Sequence, residues 1–194
     1  PGFTTPLSAK QAPDRFTSDT LWSYELGTRT RWLKNTLHAD ATVFYIDWKD
    51  PQTLLTDSAV HLPYLDNAGR VKSLGVEGAV QWLPAWLPGL IISPSAAWIR
   101  TQTAEPFVGQ SGADIPSGTP WPYAARWQTA TTVAYKHEFG DWGAGLGFTH
   151  SYLSKAWVDL EQTLQVFDFQ QWDVQMSLAN PAIRWLPEMS VSVS

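Results

Sequence analysis

Residues 142–151, WGAGLGFTHS, alternate strictly: Trp142, Ala144, Leu146 and Phe148 fall on one side, and Gly143, Gly145, Gly147, Thr149 and Ser151 on the other. A repeat of two is the period of a β-strand, whose successive side chains point to opposite faces, whereas a helix needs a repeat near 3.6. One face is apolar and aromatic; the other is tiny or polar. The same alternation returns at 171–178, where Trp172, Val174, Met176 and Leu178 oppose Gln171, Asp173, Gln175 and Ser177. It returns again at 70–82, with Leu74, Val76, Val80 and Trp82 against Ser73, Glu77 and Gln81. At 37–47, Leu37, Ala39, Ala41, Val43 and Tyr45 oppose His38, Asp40 and Thr42, although Phe44 and Ile46 place apolar groups on the second face.

Working outward from these segments, the pattern predicts eight strands, at about 23–33, 36–48, 69–83, 90–103, 124–138, 141–153, 168–179 and 188–194. Most exceed the five or six residues usual in soluble sheets and reach the roughly 9–11 that a tilted membrane strand needs. The connectors alternate in length. Short ones fall at 34–35, 84–89 and 139–140, with a Pro-bounded one at 180–187; long polar ones fall at 49–68, 104–123 and 154–167, and residues 1–22 read as another. An outer-membrane barrel has short periplasmic turns and longer external loops, so the alternation assigns the long connectors to the outside. The uncharged run 78–99 is long enough for a membrane helix, but Pro84, Pro88 and Pro94 interrupt it, and Pro84 to Gly89 reads as a turn between strands.

Composition agrees. The 194 residues carry a net charge of −5 with 13 Lys and Arg and no basic run, which excludes a phosphate-gripping nucleic-acid protein. With no cysteine there is neither a disulfide framework nor a thiolate metal site. Twelve Trp are more indoles than a water-soluble core readily buries, since each N–H wants a partner. A membrane interface and a carbohydrate-binding surface both use Trp heavily. A mean hydropathy of −0.20 fits a barrel, because lipid-facing and lumen-facing residues average out along each strand. Trp32, Trp48, Trp82, Trp86, Trp98, Trp142 and Trp185 fall near predicted strand ends or turns, where an aromatic girdle is expected. The chain opens PGFTTPLSAK, without a signal peptide or initiator Met, so it is expected to be processed or to start inside a longer protein.

Three segments then resemble, in order and spacing, the C-terminal barrel of the TonB-dependent outer-membrane receptor family. SYELGTRTRWL at 23–33 is similar to that family's "YElGlKt" strand, ATVFYIDWKD at 41–50 to its "aavFyidykd" strand, and NAGRVKSLGVE at 67–77 to its "NaGkarskGvE". Gly2–Phe3 resembles the end of a preceding strand. The matches cover about residues 14–83, and the remainder agrees in architecture. The resemblance implies that residues 1–194 are part of a larger antiparallel up-and-down transmembrane barrel in a Gram-negative outer membrane. It also implies an N-terminal plug domain, coupling to TonB and import of a scarce ligand, most often a ferric siderophore; plug and TonB segment lie outside this sequence.

Glu77, Ser73 and Gln81 share the polar face of one strand and are expected to face the lumen or plug, or simply to hydrogen-bond there. Gly69 and Gly75 match family glycines and permit either close approach of a neighbour or a bulge. Phe107, Trp121, Tyr123 and Trp157 sit in or beside external connectors, where they serve to stack on a ligand such as an aryl siderophore or to pack the loops. His38, His61, His137 and His150 show no metal-ligand spacing, no carboxylate pair or nucleophile elbow is assignable, and neither catalysis nor a cofactor is expected. Two other readings fit the alternation: a small passive eight-stranded barrel, and a soluble carbohydrate-binding β-sandwich.

Overall fold

The computed structural model describes residues 17–56, 63–67, 69–108, 114–180 and 188–193. Its strands are β1 (Thr20–Trp32), β2 (Leu37–Lys49), β3 (Gln52–Thr56), β4 (Pro63–Asn67), β5 (Arg70–Trp82), β6 (Leu90–Thr103) and β7 (Phe107–Val108). They continue with β8 (Asp114–Ile115), β9 (Trp127–Phe139), β10 (Trp142–Leu153), β11 (Ala156–Trp157), β12 (Gln165–Val166), β13 (Phe169–Ala179) and β14 (Glu188–Val193). The eight predicted strands are all present; the largest displacements are at β1, which begins at Thr20 rather than 23, and at β9, which begins at Trp127 rather than 124. They form one antiparallel sheet in the order β1-β2-β5-β6-β9-β10-β13-β14, so every strand pairs with the next along the meander. The run 78–99 is the end of β5, a turn and the start of β6, and the described residues contain no helix.

The long connectors are not plain loops. Each contains a small antiparallel pair, β3–β4, β7–β8 or β11–β12. The two-residue strands β7, β8, β11 and β12 are too short to show a period, and the five-residue β3 (QTLLT) and β4 (PYLDN) do not alternate cleanly, so the sequence pattern does not reveal them.

The register sorts the side chains. The pair partners Arg29–Asp40, Asp40–Ala79, Ala79–Ser95, Ser95–Ala130, Ala130–Ser151 and Ser151–Gln171 make one row on the polar face. The opposite face carries the row Leu26, Val43, Val76, Trp98, Trp127. On that face Leu26 is 75% exposed, Leu146 52% and Met176 58%. Apolar side chains exposed along nearly every strand are costly in water and suit a hydrocarbon solvent. Among the described residues buried ones are few, chiefly Val71, Ile115, Ala125, Leu160 and Thr103, and no second large sheet covers either face. A sandwich would bury one face of each strand between two sheets; this molecule does not.

The rows also slant. Leu37, the first residue of β2, pairs with Trp82, the last of β5, and their row runs on through Ile92 to Val133, six residues short of Phe139 at the end of β9. Such a stagger between the hydrogen-bonded rows and the strand ends is the shear of tilted barrel strands. Aromatic residues bracket the apolar face: Trp32, Trp82, Phe139 and Trp142 at the short-turn ends, Tyr24, Tyr45, Trp98 and Trp127 towards the long connectors. Tyr24 and Tyr45 stack with ring centroids 6.5 Å apart.

Phe44, the apparent exception on the polar face, has a partner. It pairs across strands with Gly75, and a Cβ on Gly75 would overlap the Phe44 ring. The glycine makes room for a neighbouring strand's side chain; the β2–β5 register runs unbroken from Leu37–Trp82 to Lys49–Arg70, so no bulge is involved. Gly69 acts differently. It enters β5 at φ 57°, and its carbonyl accepts from Asp50 N–H at 2.6 Å.

Candidate functional site

Two regions of the sheet carry concentrated polar or aromatic groups. The first is the concave, polar face, which encloses an open cavity of about 520 Å³ lined by Asp40, Thr42, Glu77, Ser95, Gln128 and Phe169 among others. Glu77 is exposed there, directly opposite Thr42 and Ala97. Gln81, also exposed, lines a smaller hollow with His38, Asp40 and Ser93. Ser73 is 8% exposed, and its hydroxyl hydrogen-bonds the Thr101 hydroxyl at 2.7 Å. At roughly 3.3 Å per residue, Ser73 and Gln81 lie about 26 Å apart along β5. The three therefore form a line down one wall, not a single site. The nearby Arg29–Asp40 ion pair, 2.7 Å, is solvent-exposed on both partners and holds little energy.

The second region is the long-connector end. The segment 114–120 is fastened to the end of β6: Thr103, with 0% exposure, donates through its hydroxyl to the Pro116 carbonyl at 2.9 Å and accepts from Thr119 N–H at 3.0 Å. Val71, Ile115 and Thr119 are buried around it, so this end holds the compact core. Of the four connector aromatics, Tyr123 and Trp157 meet through their backbones, Tyr123 N–H donating to the Trp157 carbonyl at 2.7 Å. Tyr123 is held at φ 57° with its side chain 69% exposed. Trp121 instead faces Trp48, with ring centroids 6.4 Å apart, and Phe107 pairs with Ile115 in the β7–β8 hairpin. The four are thus divided among three places.

Trp48 is the residue that sequence reasoning misplaced. Expected in the girdle, it shares the polar face with His38, Asp40 and Thr42, lies against Trp121 and donates from Nε1 to Asp19 Oδ2 at 2.8 Å. Its even position in β2 was the available signal, because strand parity fixes the face. Trp86 stands in the 83–89 turn, exposed, while Trp185, His61 and Gly2–Phe3 lie outside the described residues.

The β11–β12 connector is organised by Asp159. Burial pushes its carboxyl up, but hydrogen bonds from the Thr163 hydroxyl (2.6 Å), Thr163 N–H (2.7 Å) and Leu164 N–H (3.0 Å) outweigh that and hold it below its ordinary value. The described histidines are dispersed: His38 contacts the Asn35 carbonyl, His137 lies between Tyr135 and Phe139, and His150 stacks on Trp172 at 4.0 Å. Among the described residues no three His, Asp or Glu side chains converge to hold a metal.

The profile of the TonB dependent receptor-like, β-barrel family matches residues 4–193. The chain belongs to this family. Solved receptors share the fold at low identity. The ferric yersiniabactin uptake receptor FyuA of Yersinia pestis superposes with a TM-score of 0.67 and 21% identity, over 91% of this chain and 24% of that one. The siderophore receptor PiuA of Acinetobacter baumannii gives 0.59 and 17%, over 81% of this chain and 22% of that one. The FrpB iron transporter of Neisseria meningitidis gives 0.57 and 15%, over 93% and 31%. This TonB-dependent receptor barrel segment therefore spans between about a fifth and a third of the length of those receptors. Its eight strands are a stretch of a larger barrel wall, and its family and structural neighbours are transport receptors rather than enzymes.

Proposed function

We propose that these residues form part of the wall of a Gram-negative outer-membrane receptor that imports a scarce ligand, a ferric siderophore, by TonB-energised uptake. The family match over residues 4–193 carries this reading. It is supported by the superposed proteins, all three concerned with iron or siderophores. In this reading a plug domain elsewhere in the protein fills the lumen against Glu77, Gln81 and the Ser73–Thr101 pair, and carries the TonB-interacting segment. The polar, glycine-rich inner face suits that occupant, since it offers hydrogen-bonding groups and low relief. The long connectors face outward, and Phe107, Trp121, Tyr123 and Trp157 supply aromatic surface for a ligand with flat rings. Trp48 joins them through Trp121.

The deciding experiment is uptake of iron-55 by an iron-starved strain, with and without the full-length gene, over a panel of ferric siderophores. Energy-dependent accumulation that vanishes on deletion of the gene or of TonB is expected for at least one ligand. Uptake that is unaffected by both deletions across iron, haem and other scarce-ligand panels would sink the reading.

A further inference from the structure

In the sector formed by β1, β2, β5 and β6, the long-connector half of the inner face holds acids and indoles but no lysine or arginine among the described strand residues. Glu25 stands there in β1, Asp19 just ahead of that strand, and Trp48 and Trp121 beside Asp19, whereas Arg29 and Arg31 occupy the short-turn half. Trp48 donates from Nε1 to Asp19 Oδ2 at 2.8 Å, and the Trp48 and Trp121 rings are tilted by 56° with centroids 6.4 Å apart. A tilted pair leaves open ring faces that a face-to-face stack would hide, and both indoles are half-buried. The result is a corner of two indoles and one carboxylate.

The corner is held in place. Thr17 donates to Asn67 Oδ1 from its N–H at 2.8 Å and from its hydroxyl at 3.1 Å. Asn67 Nδ2 donates back to the Thr17 carbonyl at 3.1 Å and to the Asp50 carbonyl at 2.6 Å, and Gln52 Nε2 adds a donor to the Thr17 carbonyl at 3.3 Å. Residues 17–19 are thereby tied to the connector that follows Trp48. Trp121 is fixed by its own N–H, which donates to the Thr101 carbonyl at 2.9 Å. Asp19 is exposed, and among the described residues the only donor that reaches it is the neutral indole. Glu25 is likewise met only by the Ser23 hydroxyl, at 3.2 Å. The first cation along the inner side of the sheet, Arg126, is exposed at the head of β9, where its carbonyl accepts from Ile99 N–H. A carboxylate without a cationic partner beside open indole faces attracts a cation both by its charge and through the ring quadrupoles. A packing role for Trp48 alone needs a hydrogen-bond acceptor at position 19 but no charge.

Resting on the receptor reading, we infer that Trp48, Trp121 and Asp19 form a subsite for an ammonium group, and that the ferric chelate taken up carries such a cationic group at its periphery. The carboxylate supplies the charge and the two indoles supply their faces. The same arrangement disfavours a chelate whose periphery is anionic. A cation over an indole face gains about threefold in affinity at an exposed site and about thirtyfold at a desolvated one.

The test uses the full-length protein containing these residues, in non-ionic detergent and labelled with 5-fluorotryptophan. It is titrated with choline, a small soluble ammonium, and separately with 3,3-dimethylbutanol, its uncharged isostere. Trp48→Phe and Trp121→Phe assign the two fluorine resonances. Choline is expected to move both resonances saturably, and the isostere to move neither. Asp19→Asn keeps an acceptor for the indole N–H but removes the charge, so it should weaken choline by about threefold to fivefold, as for an exposed ion pair. Arg126→Gln should not weaken it. No response to choline, an equal response to the isostere, or undiminished choline affinity in Asp19→Asn would each overturn the site. Iron-55 uptake in cells then separates the site from the receptor reading. The panel includes ferrioxamine B, whose terminal amine is protonated, and its uncharged N-acetyl derivative. Imported chelates are expected to carry a protonated amine, and acetylating it should slow their import. Energised import confined to chelates without a cationic group, or indifferent to acetylation, refutes this inference and leaves the receptor reading standing. Failure to import any ligand refutes the receptor reading, and the choline titration still decides whether the corner binds an ammonium group.

Discussion

Gly75 shows how a single residue type governs the wall. The Phe44 ring occupies the space that any side chain at 75 would need. Gly75→Val should therefore destabilise the full-length barrel by about 1–3 kcal/mol, the usual range for overpacking. Adding Phe44→Ala to it should recover much of the loss, a coupling that a double-mutant cycle of urea unfolding in detergent measures directly. Asp159 gives a second residue-scale expectation, in pH. Its folded pKa lies below the unfolded one, so its stabilisation of the β11–β12 connector is fully present above the unfolded carboxylate pKa of about 3.9 and disappears as pH falls through the lower folded value. Amide protection over 156–166, taken relative to the intrinsic exchange rate at each pH, should fall below about pH 4, and Asp159→Asn should remove that pH dependence while raising exchange at neutral pH. Exchange at neutral pH that is the same in both proteins would refute the assignment.

At the scale of elements, β5 separates two solvents across one residue step. Val76 sits at its middle on the outward face, and Glu77 next to it lines the inner cavity. An Arg at the bilayer midplane of a barrel costs about 2–4 kcal/mol, whereas lumen positions tolerate polarity. Val76→Arg should therefore impair folding into vesicles by that amount, and Glu77→Gln should leave folding yield unchanged. Comparable losses from both would show that the face assignment is wrong. The connector between β6 and β9 depends on Thr103 in a similar way. Thr103→Val removes the donor to Pro116 and the acceptor for Thr119 N–H in a buried setting, so protease cleavage within 104–120 should become at least about tenfold faster, from about 1–3 kcal/mol for the unsatisfied groups. Seven of the eight main strands were legible because each repeats its period five times or more, and only β14, with six residues, is shorter. The short hairpins were not, because their pairing is decided by where the surrounding connector is anchored.

For the whole molecule the open sheet is the governing fact. Among the described residues β1 pairs only with β2, and β14 only with β13. Unpaired edge N–H and C=O groups are costly in hydrocarbon, so an isolated sheet of these strands is unsuited to a bilayer. The 194-residue chain expressed alone should thus fail to give the heat-shifted band of a closed barrel in detergent, while the full-length protein gives it; a compact, heat-shifting 194-residue species would revive the small passive barrel. What the sequence by itself determined was periodic: strand number, strand length, the two faces, the alternation of connectors and, through NAGRVKSLGVE, the family. These are readable because a period-two pattern and the bilayer's thickness act on each strand separately. Only the tertiary structure decided which residues from different strands meet. It placed Phe44 over Gly75, set Trp48 against Trp121 and divided the four connector aromatics among three places. Those meetings depend on register and stagger between strands distant in sequence, and no local pattern of residues encodes them.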